Sequence, residues 1–210
     1  MKEQNIKAII FDIGNVVLFF NNHLISQKIA ESSGLGESNV FREILTRYND
    51  TGLDVGHISG LDFLQTIKTN LKIDHSLERL QEIFCDIFNE NAQMAKLIRF
   101  LKGKYKLLAL SNTNELHFPY IRDNFPILQL FEEYILSYEE GIKKPDLDIY
   151  LRALDRLSLN ADEVLFIDDQ KRNIIPACAL EIHAHHYTEM PLLLDHMKVL
   201  GIDIALYDAS

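Results

Sequence analysis

Short apolar runs recur along this chain, and each breaks off at polar residues. Ala8-Ile9-Ile10-Phe11 stops at Asp12, and Leu107-Leu108-Ala109-Leu110 stops at Ser111-Asn112. Tyr134-Ile135-Leu136 ends at Ser137, and Val164-Leu165-Phe166-Ile167 ends at Asp168-Asp169. Continuous apolar runs of this length, separated by helical patterns, predict strands of a parallel sheet covered on both faces. The expected fold class is α/β, with a Rossmann-like, doubly wound core. Such sheets bind ligands at the carboxyl ends of their strands, where these polar residues stand.

Spacing predicts an insertion. A β-α-β unit takes roughly 30 residues, yet Asp12 and Lys106 are separated by about three times that length. Between them the pattern is helical: Leu77, Leu80, Ile83, Phe84, Ile87 and Phe88 fall on one face at helical spacing. Ser59 and Asp62, ahead of Phe63-Leu64, match a capping pattern at a helix start. Residues 16–90 are therefore expected to form a small helical cap, and residues 1–15 with 91–210 the α/β core. Ala92 to Gly103 reads as a core helix leading into the second strand. No internal repeat or Pro/Gly-rich linker interrupts this plan.

Composition narrows the partners. Of 210 residues, 21 are Lys or Arg and 31 are Asp or Glu, for a net charge of −10. A surface that acidic repels phosphate backbones and anionic lipid, so neither nucleic acid nor membrane is an expected partner. No apolar run approaches the ~20 residues that span a bilayer. The polar start, Met1-Lys2-Glu3-Gln4-Asn5, does not read as a signal peptide. Cys85 and Cys178 stand far apart with no disulfide framework, which fits a cytoplasmic protein.

The polar strand ends carry candidate chemistry. An Asp after a strand often caps a loop, but Asp12 is followed by Ile13-Gly14-Asn15, and a glycine lets backbone N–H groups approach an anion. Asp12 is thus a candidate nucleophile or metal ligand, with Gly14 and Asn15 beside the substrate. Ser111 and Asn112 could cap a helix, or offer a hydroxyl and an N–H to a phosphoryl oxygen. Lysine pairs are commonly solvated, yet Pro145 fixes the backbone beside Lys144, whose ammonium could neutralise a phosphate and nearby carboxylates. Asp168 and Asp169 could simply favour a helix N-terminus. Adjacent acids at a sheet end otherwise call for a cation, and hard oxygen ligands suit Mg²⁺. His183, His185 and His186 read better as a partly exposed strand than as a metal cluster. His23, His57 and His117 each stand alone.

In this order, the four groups resemble the motifs of the haloacid dehalogenase superfamily. D-x-G-N-V, L-S-N-T-N, K-K-P-D-x-x-I-Y and F-I-D-D look most like a branch containing bacterial sugar-phosphate phosphatases of the glucose 1-phosphate type. They are also similar to the phosphatase domain attached to soluble epoxide hydrolases. The resemblance spans the whole chain and implies roles residue by residue. Asp12 would be the nucleophile, Ser111 the phosphate-binding hydroxyl and Lys144 the motif lysine. Asp169 would be the direct Mg²⁺ ligand with Asp168 supporting it, and the carbonyl of Gly14 would join them. It also implies that the fourth motif strand lies beside the first. One position departs: most phosphatases of the superfamily carry a second Asp where this chain has Gly14. That acid/base role is typically worth ~10²–10⁴ in rate.

The function implied is Mg²⁺-dependent hydrolysis of a small phosphorylated metabolite, with a sugar phosphate as one candidate, through an aspartyl-phosphate on Asp12. With no acid at position 14, substrates with stable leaving groups, such as sugar 1-phosphates, are expected to react best. Two alternatives stand beside it. One is a weakly active phosphate-binding or regulatory protein, favoured by Gly14. The other is a haloacid dehalogenase, which works without metal and has no use for the Asp168-Asp169 pair. A receiver-domain module is disfavoured because its acidic pair follows the first strand.

Overall fold

The computed structural model describes residues 5–207; the polar start Met1–Gln4 lies outside them. Five parallel strands form the sheet: β1 (Ala8–Phe11), β4 (Lys106–Ser111), β5 (Glu133–Leu136), β6 (Val164–Asp168) and β7 (His183–His186). Their order is β5-β4-β1-β6-β7. The chain steps outward from β1 through β4 to β5, then returns to the other side of β1 for β6. Reversal of direction at β1 opens a crevice at its carboxyl end.

Side chains alternate across each strand, and the sheet buries both faces accordingly. Ile9, Phe11, Leu107, Leu165 and Ile167 face one way, against α5 (Ala92–Leu101), α6 (His117–Asn124) and α10 (Met190–Val199). Ala8, Ile10, Leu108, Val164 and Phe166 face the other, against α8 (Leu147–Leu157) and α9 (Lys171–Ala179). A single-turn helix, α7 (Ser137–Glu140), follows β5. Such two-sided burial is why the strands read as unbroken apolar runs.

The insertion comprises α1 (His23–Ser33), α2 (Glu37–Thr51), α3 (Gly60–Leu71) and α4 (Leu77–Cys85). Ser59 caps α3 as expected, its hydroxyl oxygen accepting from the N–H of Asp62. The helices enclose their own cluster, including Ile25, Ile29, Phe63, Ile67, Leu80 and Phe84. Two features differ from the helical reading. The insertion enters and leaves through an antiparallel ribbon of β2 (Leu18–Phe20) and β3 (Phe88–Glu90), and Val16, Val17 and Leu18 pack with the core. Helix α4 also stops at Cys85, although its apolar spacing continues to Phe88. Pairing of Phe88 with Phe20 claims that residue for a strand. Among the described residues no helix is long and apolar enough to cross a membrane.

Candidate active site

Sheet register assembles the site. Phe11 pairs with Ile167 on one side and with Ala109 on the other. The N–H of Asp12 still bonds the carbonyl of Ile167 at 2.8 Å, so its carboxylate emerges between the ends of β4 and β6. Asp12, Gly14, Ser111, Asn112 and Lys144 all line one cavity of about 580 Å³ between the strand ends and the insertion.

Lys144 is buried and reaches inward. Its Nζ donates to the carbonyl of Leu110 at 2.8 Å and to Asp168 Oδ2 at 2.7 Å, and lies 2.9 Å from Asp12 Oδ1. Burial works against its charge, but Asp12 and Asp168 outweigh it and hold the ammonium's pKa above its ordinary value. The same Oδ1 of Asp12 accepts from the N–H of Ile13 at 2.7 Å. Asn112, expected at the substrate, lines the cavity, and its amide also clamps the lysine. The N–H of Lys144 donates to Asn112 Oδ1, and Asn112 Nδ2 donates to the Lys144 carbonyl, each at 2.9 Å.

The two adjacent acids diverge. Asp168 is fully buried and accepts from Lys144, from the N–H of Gln170 and from Asn173 Nδ2 at both oxygens. Asp169 points elsewhere: its Oδ2 accepts from Asn15 Nδ2 at 3.2 Å, while its Oδ1 is buried with no hydrogen-bond partner. Asn15 adopts a left-handed backbone, φ 56°, a region that Asn tolerates better than most residues. Expected at the substrate, Asn15 is committed to Asp169 and is absent from the cavity lining.

Asp12, Asp168 and Asp169 offer carboxylate oxygens within 4.8 Å of one another, against the single ammonium of Lys144. Burial, then repulsion from Asp168 and Asp169, pushes the carboxyl of Asp12 up to about 7, with Lys144 pulling the other way. Asp169 is raised by burial and by Asp168, with Asn15 opposing. An excess of negative charge, all-oxygen donors and one orphaned carboxylate oxygen fit a hard divalent cation such as Mg²⁺.

Residues 6–180 match the haloacid dehalogenase-like hydrolases. The chain belongs to this family. It is 27% identical over 192 residues to the sesquiterpene phosphatase astK of Aspergillus oryzae, covering 87% of this chain and 90% of that protein. It is 26% identical over 185 residues to the D-ribitol-5-phosphate phosphatase of Bacteroides thetaiotaomicron, covering 80% and 85%. A haloacid dehalogenase family enzyme of B. thetaiotaomicron, solved with magnesium and inorganic phosphate, superposes with a TM-score of 0.76 at 22% identity, covering 88% of this chain and 95% of that one.

Several residues of this haloacid dehalogenase-like hydrolase escaped the sequence reading. Asn173 holds Asp168 from the first turn of α9, and no pattern marks it. The Ser137 hydroxyl accepts from the N–H of Thr113 at 3.0 Å and donates to its carbonyl at 3.1 Å, tying the loop after β4 to the end of β5. The solitary histidines separate. His23 and His117 line the cavity, whereas His57 does not. His117 bridges core and insertion, with Nδ1 3.2 Å from Asn114 Nδ2 and Nε2 3.1 Å from the carbonyl of Phe84. Burial lowers its pKa to about 4. His183–His186 is the edge strand β7, and among the described residues the one metal-like cluster is the aspartate triad.

Proposed function

We propose that this hydrolase is an Mg²⁺-dependent phosphatase acting on a small phosphorylated metabolite. The observation that carries the reading is the buried, unpartnered Oδ1 of Asp169 beside Asp12 and Asp168. A dehalogenase has no need of such a cation site. The relatives named above act, by their names, on a sesquiterpene substrate and on ribitol 5-phosphate. A phosphate monoester is the chemistry those names share.

Lys144 and the Ile13 N–H orient the carboxylate of Asp12 through Oδ1, so Oδ2 would be the attacking oxygen. As the Asp12 Oδ2–phosphorus bond forms, the phosphorus–ester oxygen bond breaks and its electron pair leaves with the alcohol oxygen. Water then attacks phosphorus, releasing phosphate and restoring the carboxylate. Asp12, Asp169 and the Gly14 carbonyl would hold Mg²⁺, with Asp168 supporting Lys144 beneath them. When bound there, the ion would supply positive charge against the transferring group, most of what phosphoryl transfer asks of a protein. Ser111, at the end of β4, would bind a phosphoryl oxygen. Position 14 supplies no proton to the leaving oxygen, so stable leaving groups react best.

The test is phosphate release from acetyl phosphate with Mg²⁺, together with acid-quench trapping of a phosphoprotein. Asp12→Asn is expected to abolish both while the circular-dichroism spectrum is kept. Near-normal turnover in that variant would sink the mechanism. Phosphate binding without turnover in the natural protein would establish the regulatory alternative instead.

A further inference from the structure

Away from Asp12 the cavity has a one-sided character. Its volume of about 580 Å³ lies within the roughly 300–1,000 Å³ of small-molecule sites. Phe20 and Phe88 reach it from the ribbon, Ile25 from α1, Phe41 and Leu45 from α2, and Phe84 from α4. Leu45 and Phe20 remain 48% and 37% exposed. Large apolar groups left in contact with water around a concave site are what an apolar ligand covers.

Charge is missing from the same walls. Helix α2 carries Arg42 and Arg47, yet neither lines the cavity; Lys144 is the one lysine or arginine that does, among the described residues. Its ammonium is already held by Asp12, Asp168 and Leu110. A second phosphate, or a carboxylate, on the leaving group would be desolvated without a counter-charge, which selects against it.

Asn22, His23, Asn49 and Gln170 also line the cavity, but part of the polar lining is spent on the protein itself. His117 is engaged by Asn114 and the Phe84 carbonyl, and Asn21 Oδ1 accepts from the N–H of His23. The hydroxyls of a polyol would lose water against the apolar walls, a cost that apolar groups do not carry.

We infer that the leaving group of the substrate is an uncharged, predominantly apolar alcohol or phenol, esterified to a single phosphate. This deepens the phosphatase reading and rests on it for the position of the phosphate. The cap of this chain selects against sugar and polyol phosphates by setting apolar walls against their hydroxyls, and against bisphosphates by lacking a second cation.

Two measurements on the full chain with Mg²⁺ test it. The first is calorimetric binding of two phosphonates in which CH₂ replaces the ester oxygen, so that nothing turns over. Benzylphosphonate is expected to bind at least tenfold more tightly than 3,4-dihydroxybutylphosphonate; equal or weaker binding overturns the inference. The second compares kcat/KM for hexyl phosphate, glycerol 3-phosphate and ribitol 5-phosphate, all primary alkyl esters, so that differences report the cap more than the bond broken. Hexyl phosphate is expected to lead by at least tenfold. Leu45→Lys, on an exposed position of the cap, is expected to shrink that lead at least threefold; an unchanged ratio counts against the inference. Acetyl phosphate separates the two claims, because its small leaving group need not reach the cap. Its release of phosphate alongside a preference for polyol esters overturns the apolar leaving group alone. Failure to hydrolyse it overturns the phosphatase reading, and the phosphonate comparison then decides the ligand class.

Discussion

A β-carbon on Gly14 would lie 2.9 Å from Cε1 of Phe20. The ring of Phe20 thus fills the space that a second acid, two residues past Asp12, would occupy. The obstacle is the far end of a side chain that is itself 37% exposed. The backbone at Gly14 is not left-handed, so an L-residue is sterically admissible there once the ring moves.

This relationship predicts how an acid can be restored. Gly14→Asp alone is expected to gain modestly, because Phe20 crowds the new carboxyl. Gly14→Asp with Phe20→Ala is expected to raise turnover of poor leaving groups by about 10²-fold, the low end for general acid catalysis. Rates across aryl and alkyl phosphates supply the check: the natural protein should depend steeply on leaving-group pKa and the double variant should not. A flat dependence in the natural protein would mean that another group, with His23 the first candidate, already donates the proton.

Lys144 offers a stability prediction. Lys144→Met strands Asp12 and Asp168 without their buried counter-charge, and breaking such a pair costs about 3–5 kcal/mol. Asn112→Ala removes only the clamp on the lysine backbone and should cost about 1–3 kcal/mol. Urea denaturation without Mg²⁺ should rank the two in that order, and a reversed ranking would show that the ammonium is not what offsets the acids.

Metal removal should act on stability as well as rate. Mg²⁺ that binds the folded chain alone stabilises it by about 2.7 kcal/mol at a hundred times its Kd, so Tm should rise with Mg²⁺ and fall with a chelator. Asp169→Asn should erase the shift because it replaces the orphaned oxygen's carboxylate. An Mg²⁺-dependent Tm rise that persists in this variant would place the ion elsewhere.

His117 should make stability depend on pH. Burial lowers its pKa from 6.5 to about 4, so on acidification the unfolded chain takes up its proton first. The stability due to this group is therefore complete above pH 6.5 and lost progressively toward pH 4. Between pH 7 and pH 5 the loss should be about 1–2 kcal/mol. Denaturation curves of His117→Gln at both values should show a drop smaller by that amount; identical drops would refute the assignment.

Local pattern was enough for the strands and for the residues that end them. Two-sided burial writes each strand as an apolar run, and the sheet geometry makes the first polar residue after it a site residue. Asp12, Ser111 and the acidic pair stand at such ends, and the insertion was legible from spacing alone; Lys144, well past the end of β5, was marked instead by Pro145 beside it and by the family resemblance. Pairing decided what spacing could not. Phe88 keeps helical phase with Leu80 and Phe84, yet its partner Phe20, distant in sequence, draws it into a ribbon. Asn15 has the right chemistry for a phosphate, but a side-chain amide bonds whatever the fold sets beside it, here Asp169, and Asn112 in the cavity wall bonds the backbone of Lys144. Nothing in the order Asp168-Asp169 tells which acid turns down to the lysine and which keeps an oxygen free; strand alternation and the position of Asn173 settle that. The walls of the cavity are the most remote from sequence, since they join residues from the ribbon, three helices of the insertion and the core, and only their packing brings those side chains to one surface.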